Sequence, residues 1–544
     1  KRWVKKELVN KISTIATSYP DPTVGLGQCL VEMGILPKYG MPLDVRYLYH
    51  GYVNGDLRTI DRSSEMAITE FAPGSEKTKD KGKYKVSAIC VPMSKGPNNT
   101  PTYINTNADA LQNKYVVSLN NDQICQIDPY INAAQLGASD KIVVIPQAYR
   151  TDVIVGNRGK SIDNDDRGSR FAQSEVWAKE GTNGSSKVVE NCRISAFGFA
   201  SNDAEVWHLN TNNRRWYSGY YGAANDPNNG RQTTFTFIDQ PNGQTEQIGI
   251  GAKKVTEMVS IGINNVPSVL DLNCDSGNDY AIRAAFISAG FLLQRALADK
   301  LDVTPEEIEV VEKIINGRLF IYLSDALPNG AGIVGYLFLH DHLRELIEGI
   351  INFKEPFMQS LIDPNHKDKC FTACQECIAS YSNRGYHHIL DWRMGVGVLR
   401  LMLNENYDFG FDPNNRQLYE ELKDYDALFD AASIKVDGNT QAKWIDQLYS
   451  QCAIVSKSGH KKQTKMVYKV LYHPLWNKQA LFNQKLASIV GANEVEYHNL
   501  FKVLRSDLTP DQIQTPSTTS SPTTQSKSTQ PTHQQGTTMQ EESD

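Results

Sequence analysis

From Trp3 to about Met33 the apolar residues recur at helical spacing, until Leu36-Pro-Lys-Tyr-Gly-Met-Pro42 breaks the pattern. Val45 to Tyr49 then reads as extended, and residues 1–84 together read as a connector. Between Tyr84 and about Leu270 the runs are short and rich in β-branched and aromatic residues, as in Lys141-Ile-Val-Val-Ile145, Thr233-Thr-Phe-Thr-Phe-Ile238 and Met258-Val-Ser-Ile-Gly-Ile263. Gly, Asn and Asp clusters separate them, a pattern that predicts a β-rich domain. After Asn278 the period changes: a strong helix over Ala281–Lys300, a short one near Pro305–Glu309, a buried strand at Leu319–Leu323, and helices from about Ile333 to Asn352 and from Asp391 to about Leu403. Residues 404–505 alternate helices with one clear strand, Met466–Tyr472.

The expected fold is therefore α+β and multidomain. A connector (1–84) leads to a β-rich middle domain (85–270), an α/β block carrying a cysteine-rich loop (271–403) and a C-terminal α/β domain (404–506). The last stretch, 507–544, is mostly Thr, Ser, Gln and Pro, too poor in apolar surface to fold, and is expected to be a disordered tail. At 544 residues the chain has room for about three or four domains of ordinary size.

Composition narrows the function classes. A net charge of −6 argues against indiscriminate coating of nucleic acid and leaves a local basic face open. Residues 1–85 hold 14 Lys and Arg against 10 Asp and Glu, a balance of +4. No run of about 18 apolar residues and no signal peptide is apparent, so no membrane partner is expected. Nine cysteines, an odd number, suit a reducing compartment, and the expected location is cytoplasmic. The chain opens at Lys1 on a charged helical pattern, as expected of the carboxy-terminal part of something longer, or of a processed chain.

Chemistry declares itself between His366 and Arg393, where Cys370, Cys374 and Cys377 lie beside His366, His387 and His388. The two-residue gap from Cys374 to Cys377 lets two thiolates from one tight turn reach a single tetrahedral ion, with Cys370 and a histidine completing the shell. Zn2+ is the simplest cofactor. The same gap suits a redox pair, but such a motif usually opens a helix directly after a strand, whereas Cys370 follows the polar loop Asp363–Lys369. His366 is the first choice of fourth ligand; His387, His388, Cys274 and Cys452 are the alternatives. Four protein ligands close the site, which marks a structural ion.

Lys77, Lys79, Lys81, Lys83 and Lys85 alternate with other residues, so one extended strand would project all five ammonium groups on one side as a nucleic-acid-binding rail. The competing reading is a charged edge strand or solvated loop. Gly330-Ala-Gly-Ile-Val-Gly335 matches a dinucleotide fingerprint, but six residues including a proline separate it from the strand before it. It reads better as a glycine-rich helix start, whose amides could hold a backbone phosphate. Asn383, His388, Asp391 and Arg393 read as structural, with Asp391 capping the helix that follows; catalysis by His388 and Asp391, as in a nuclease, is the rival. No phosphate loop, Asp-Glu-x-His motif or arginine-rich helicase segment is present, so the chain by itself is not expected to hydrolyse ATP.

These residues resemble the MrfA-like zinc-binding region found at the carboxy end of large bacterial DEAD/DEAH-box helicases and as a separate partner in anti-phage systems. The likeness lies in Gly34–Pro42, Asp61-Arg62, Ala67–Lys81, Tyr149–Asp152, Ser288–Gln294, Gly330–Gly332, the cysteine loop with Asn383, Leu390–Arg393 and His473–Trp476, spanning roughly residues 31–505. The resemblance implies a zinc-stabilised accessory module acting with a superfamily 2 helicase on DNA, in mitomycin-damage repair or in defence systems of the DISARM and Druantia kind. The cysteines of the β-rich part, Cys90 and Cys125 among them, are isolated where some relatives carry pairs, so no second metal site is expected. A scaffold that binds a helicase or nuclease without touching nucleic acid is the main alternative.

Overall fold

The computed structural model describes residues 9–10, 12–13, 44–53, 56–79, 82–96, 101–105, 108–118, 123–127, 136–137, 139–151, 160–161, 174–181, 198–222, 232–238, 245–276, 279–339, 341–367, 370, 372–423, 425–429, 432, 452–458, 464–491 and 494–505. Most of the expected helix over residues 3–33 and all of the expected tail lie outside these residues; residues 9–10 and 12–13 are helical.

Among the described residues the fold is α+β, organised on one large sheet of sixteen strands. Its hub is the long strand Glu246–Ile261, which pairs with Gly198–Asn210, Tyr217–Tyr221 and Arg318–Asp325 antiparallel and with Asp140–Val144 parallel. Val45–Val53 and Asp56–Ser63 belong to the same sheet, because Val45–Val53 runs parallel to Ala148–Thr151. Hydrogen bonding therefore continues from residue 45 into the hairpin Ile308–Ile315/Arg318–Asp325.

That hairpin contains a strand, Ile308–Ile315, that hydrophobic pattern alone did not separate from its surroundings. The local signal is Asn316-Gly317, at φ 51° and 74°, the two left-handed residues that a tight antiparallel turn requires. Two further expectations are corrected. The helix over Ile333–Asn352 is a 3-10 turn, Val334–Phe338, and a separate α-helix, His342–Ile351, because Leu339 turns extended between them. The C-terminal part holds a three-stranded sheet, Cys452–Ser458, Thr464–Tyr472 and Glu494–Asn499, where one strand was evident.

Packing centres on the helix Asp279–Leu301, whose apolar residues point in every direction because every side is covered. Length and composition would let Tyr280–Leu301 cross a membrane, but 89% of that window is buried inside the protein. One side meets the hairpin, and another meets the helix Trp392–Leu403 at a crossing so close that a Cβ on Gly395 would stand 2.8 Å from the Ala289 nitrogen. A single apolar cluster runs from Val259 to Phe501, so the cysteine loop, Trp392 and Trp476 share one core. Each large apolar side chain fully removed from water there contributes about 1.5–3 kcal/mol.

Candidate metal centre

The helices Pro356–Ile362 and Pro364–Lys367 carry the chain to the cysteine loop, and His366 sits on the second. The His366 carbonyl accepts the Cys370 N–H at 2.8 Å, which brings both residues to one side of the turn. A second turn follows: the Cys374 carbonyl accepts the amides of Cys377 and Ala379, both at 3.1 Å. These turns place one donor atom from each of His366, Cys370, Cys374 and Cys377 within 4.8 Å of all the others. Cys370 Sγ stands 3.8 Å from Cys377 Sγ, and Cys374 Sγ 3.4 Å from His366 Nε2.

The histidine is prepared for coordination. His366 Nδ1 lies 3.1 Å from the Leu361 carbonyl, which can only accept, so Nδ1 carries the proton and Nε2 turns its lone pair towards the sulfurs. The Cys374 amide points at Cys377 Sγ at 2.9 Å, a bond that favours a thiolate. Three sulfurs this close cannot all ionise without a cation. Hydrogen bonds from Cys370 and Cys377 hold the Cys374 thiol low, and bonding to Cys374 and then Cys377 pushes Cys370 up. A divalent ion reverses that balance, since a coordinated thiol loses its proton outright. Three thiolates and one imidazole are a tetrahedral donor set for zinc with no position left for water. His366, Cys370 and Cys377 are buried and Cys374 is half-buried.

The rest of the loop is pinned to the core. Asn383 donates to the Ile378 carbonyl at 2.7 Å and accepts from the Ser380 amide at 2.8 Å. His387 spends Nε2 on the Ser380 carbonyl and Asn383 Oδ1, which takes it out of the donor cluster. Cys274 lies elsewhere, its amide paired with the Gly317 carbonyl; the side chain of Cys452 lies outside the described residues. The Trp392 amide donates to the Thr372 carbonyl at 3.0 Å, coupling the loop to the helix Trp392–Leu403. Asp391 caps that helix, its Oδ1 accepting from the amides of Arg393 and Met394.

The structure sets Arg505 against Asp391 at 3.7 Å, while Arg393 lies over the Trp392 ring. Arg505 also donates to the carbonyls of His388 and Leu390, and Arg295 to those of Glu376 and Cys377. Neither arginine was legible as part of the site, because both come from remote helices. Burial lowers the pKa of His388, and its ring lies near Tyr280. His473 is fully enclosed: burial, then Arg416, brings its pKa down to about 3, and Leu475 N and Tyr425 Oη occupy its two nitrogens.

Two sequence expectations are corrected. The lysine segment folds back as a hairpin, Glu76–Lys79 against Gly82–Cys90, with Lys77 opposite Tyr84 and Lys83 opposite Thr78. Opposed residues share a face and neighbours alternate, so Lys77 and Lys79 lie on one side, Lys83 and Lys85 on the other. Lys77 pairs with Glu70 at 3.2 Å, Lys83 with Glu76 at 3.8 Å, and Lys79 donates to the Thr59 carbonyl; Lys81 lies outside the described residues. A single-sided rail does not form. In the glycine-rich turn, too, the amides of Ala331 to Val334 are not free for a phosphate, because buried Asp325 takes them. Its Oδ2 accepts from Ala331, Gly332 and Ile333 and its Oδ1 from Val334. The glycines serve this turn: Gly330 and Gly332 have φ of 73° and 81°, and a Cβ on Gly330 would lie 2.8 Å from Glu257.

No protein-family model and no curated protein matches the chain. Among solved structures, one of the DUF1998 helicase MrfA bound to DNA aligns with 12% identity and a TM-score of 0.34, over 69% of this chain and 38% of that one. This chain thus spans well under half of that protein's length.

Proposed function

We propose that this chain is a non-catalytic, zinc-stabilised module that engages DNA and serves a superfamily 2 DEAD/DEAH-box helicase motor, supplied by the same polypeptide or by a separate subunit. The observation that carries the zinc half is the closed set of three sulfurs and one prepared imidazole on a loop whose other polar groups are spent on structure. Zinc binding there is folding energy for the block that begins at Asp391. The surrounding groups support a structural reading: Asp391 is a cap, His387 bridges a turn, and His473 stays neutral in the core. The helicase and DNA half rests on the motif resemblance in the sequence, as does a role in DNA repair or phage defence. The cytoplasm, where clustered thiols stay reduced, suits such a site.

Elemental analysis of the purified chain should find one equivalent of zinc, and Cys374→Ser should lose it and melt at a lower temperature. Zinc-free protein, or a Cys374→Ser variant that melts like the parent, refutes the metal half. Fluorescence anisotropy with single-stranded and duplex DNA tests the other half: binding that weakens as salt rises supports it, and none at low salt leaves the scaffold reading.

A further inference from the structure

A second donor cluster lies on the large sheet, far in sequence from the cysteine loop and without any cysteine: Glu65, His208 and Glu309. Glu65 is in the first turn of the short helix Ser64–Glu70. That helix rests on the strands Gly198–Asn210 and Glu246–Ile261, where Asn210 Nδ2 donates to the Ile68 carbonyl at 2.6 Å. His208 lies opposite Ala252, and therefore on the same face as Lys254, two residues along the neighbouring strand. Glu309 enters from the strand Ile308–Ile315.

One donor atom from each of the three lies within 4.8 Å of the others. His208 Nε2 is 3.6 Å from Glu309 Oε1 and 3.9 Å from Glu65 Oε2. Both distances are too long for hydrogen bonds. They are close to the separation of donors that each sit about 2.0–2.2 Å from one shared ion. Lys254 Nζ lies 2.8 Å from that same Glu309 Oε1 and 3.7 Å from Glu65 Oε1, the oxygen turned away from His208, and donates to the Ala326 carbonyl at 2.8 Å. One ammonium for two carboxylates leaves one negative charge to be met by a protonated His208 or by a bound cation. It also leaves His208 Nε2 and Glu309 Oε2 buried without a hydrogen-bond partner, a costly condition that a cation would relieve.

We propose that Glu65, His208 and Glu309 form a second divalent-cation site, with Lys254 outside the ligand set as a bridge across the two carboxylates. Two carboxylates and one imidazole, with no thiolate, select an intermediate to hard ion of the Mn2+ class, unlike the thiolate loop. Three protein ligands leave coordination positions open to water, so this is a site of the kind that can activate a ligand.

The test uses the full chain, first given one equivalent of zinc and desalted so that the thiolate loop is filled, then titrated with Mn2+ while electron paramagnetic resonance reads the free ion. The parent should withdraw one equivalent. Glu65→Gln and His208→Gln should each weaken uptake at least tenfold, whereas Lys254→Met, which removes a repelling charge, should tighten it several-fold. Glu65 is the most exposed ligand, so Glu65→Gln decides the matter if the histidine variant does not fold. No uptake by the parent, uptake by Glu65→Gln equal to the parent's, or no gain from Lys254→Met overturns the site, leaving a protonated salt-bridge cluster in its place.

Discussion

Asp325→Asn should be among the most destabilising single changes available outside the cysteine loop. The carboxylate is fully buried and accepts four backbone amides, three on Oδ2 and one on Oδ1. An asparagine keeps one acceptor. With its oxygen turned to the amides of Ala331, Gly332 and Ile333, its NH2 confronts the Val334 N–H, and a buried donor left unmade costs about 1–3 kcal/mol. The three surviving bonds lose their charge assistance, about 0.5–1.5 kcal/mol each, since ionised acceptors bond roughly twice as strongly as neutral ones. The total, about 2.5–7.5 kcal/mol, is a large part of the ~5–15 kcal/mol that holds a domain folded. Urea denaturation read by tryptophan fluorescence measures the loss, and hydrogen exchange at residues 331–334 localises it. A variant within about 1 kcal/mol of the parent, with those amides still protected, would show that the turn does not depend on this carboxylate.

Other outcomes follow from the same packing and electrostatics. Burial, then the charge of Asp325, pushes the Glu257 carboxyl up; the native state therefore holds its proton more tightly than the unfolded chain, and stability falls as pH rises through the raised value. Glu257→Gln should remove that loss, giving a higher melting temperature at pH 8 than the parent and a smaller difference at pH 4. The His473 imidazole, with its pKa down at about 3, favours folding above the ordinary histidine value and loses that contribution as pH falls from about 6.5 towards 3; its NMR shifts should stay those of a neutral ring between pH 8 and 4. Gly395→Val should cost about 1–3 kcal/mol by overpacking against Ser288 and Ala289, seen as a lower denaturation midpoint with an unchanged slope.

The four donors of the cysteine loop were legible because they lie within twelve residues, His366 to Cys377, and local turns alone gather them. The helix Asp279–Leu301 and the cap at Asp391 were equally local, set by periodicity and by an oxygen beside free amides. Tertiary structure decided the rest, where distant segments compete for the same groups. Whether five alternating lysines share a side depended on Glu76–Lys79 pairing antiparallel with Gly82–Cys90 instead of continuing as one strand. Whether the glycine-rich amides were free depended on a carboxylate five residues upstream turning inward. Glu65, His208 and Glu309 meet only because three stretches of chain converge on one face of a sheet, since strand register, fixed by side-chain burial across the whole layer, is not written in any single segment.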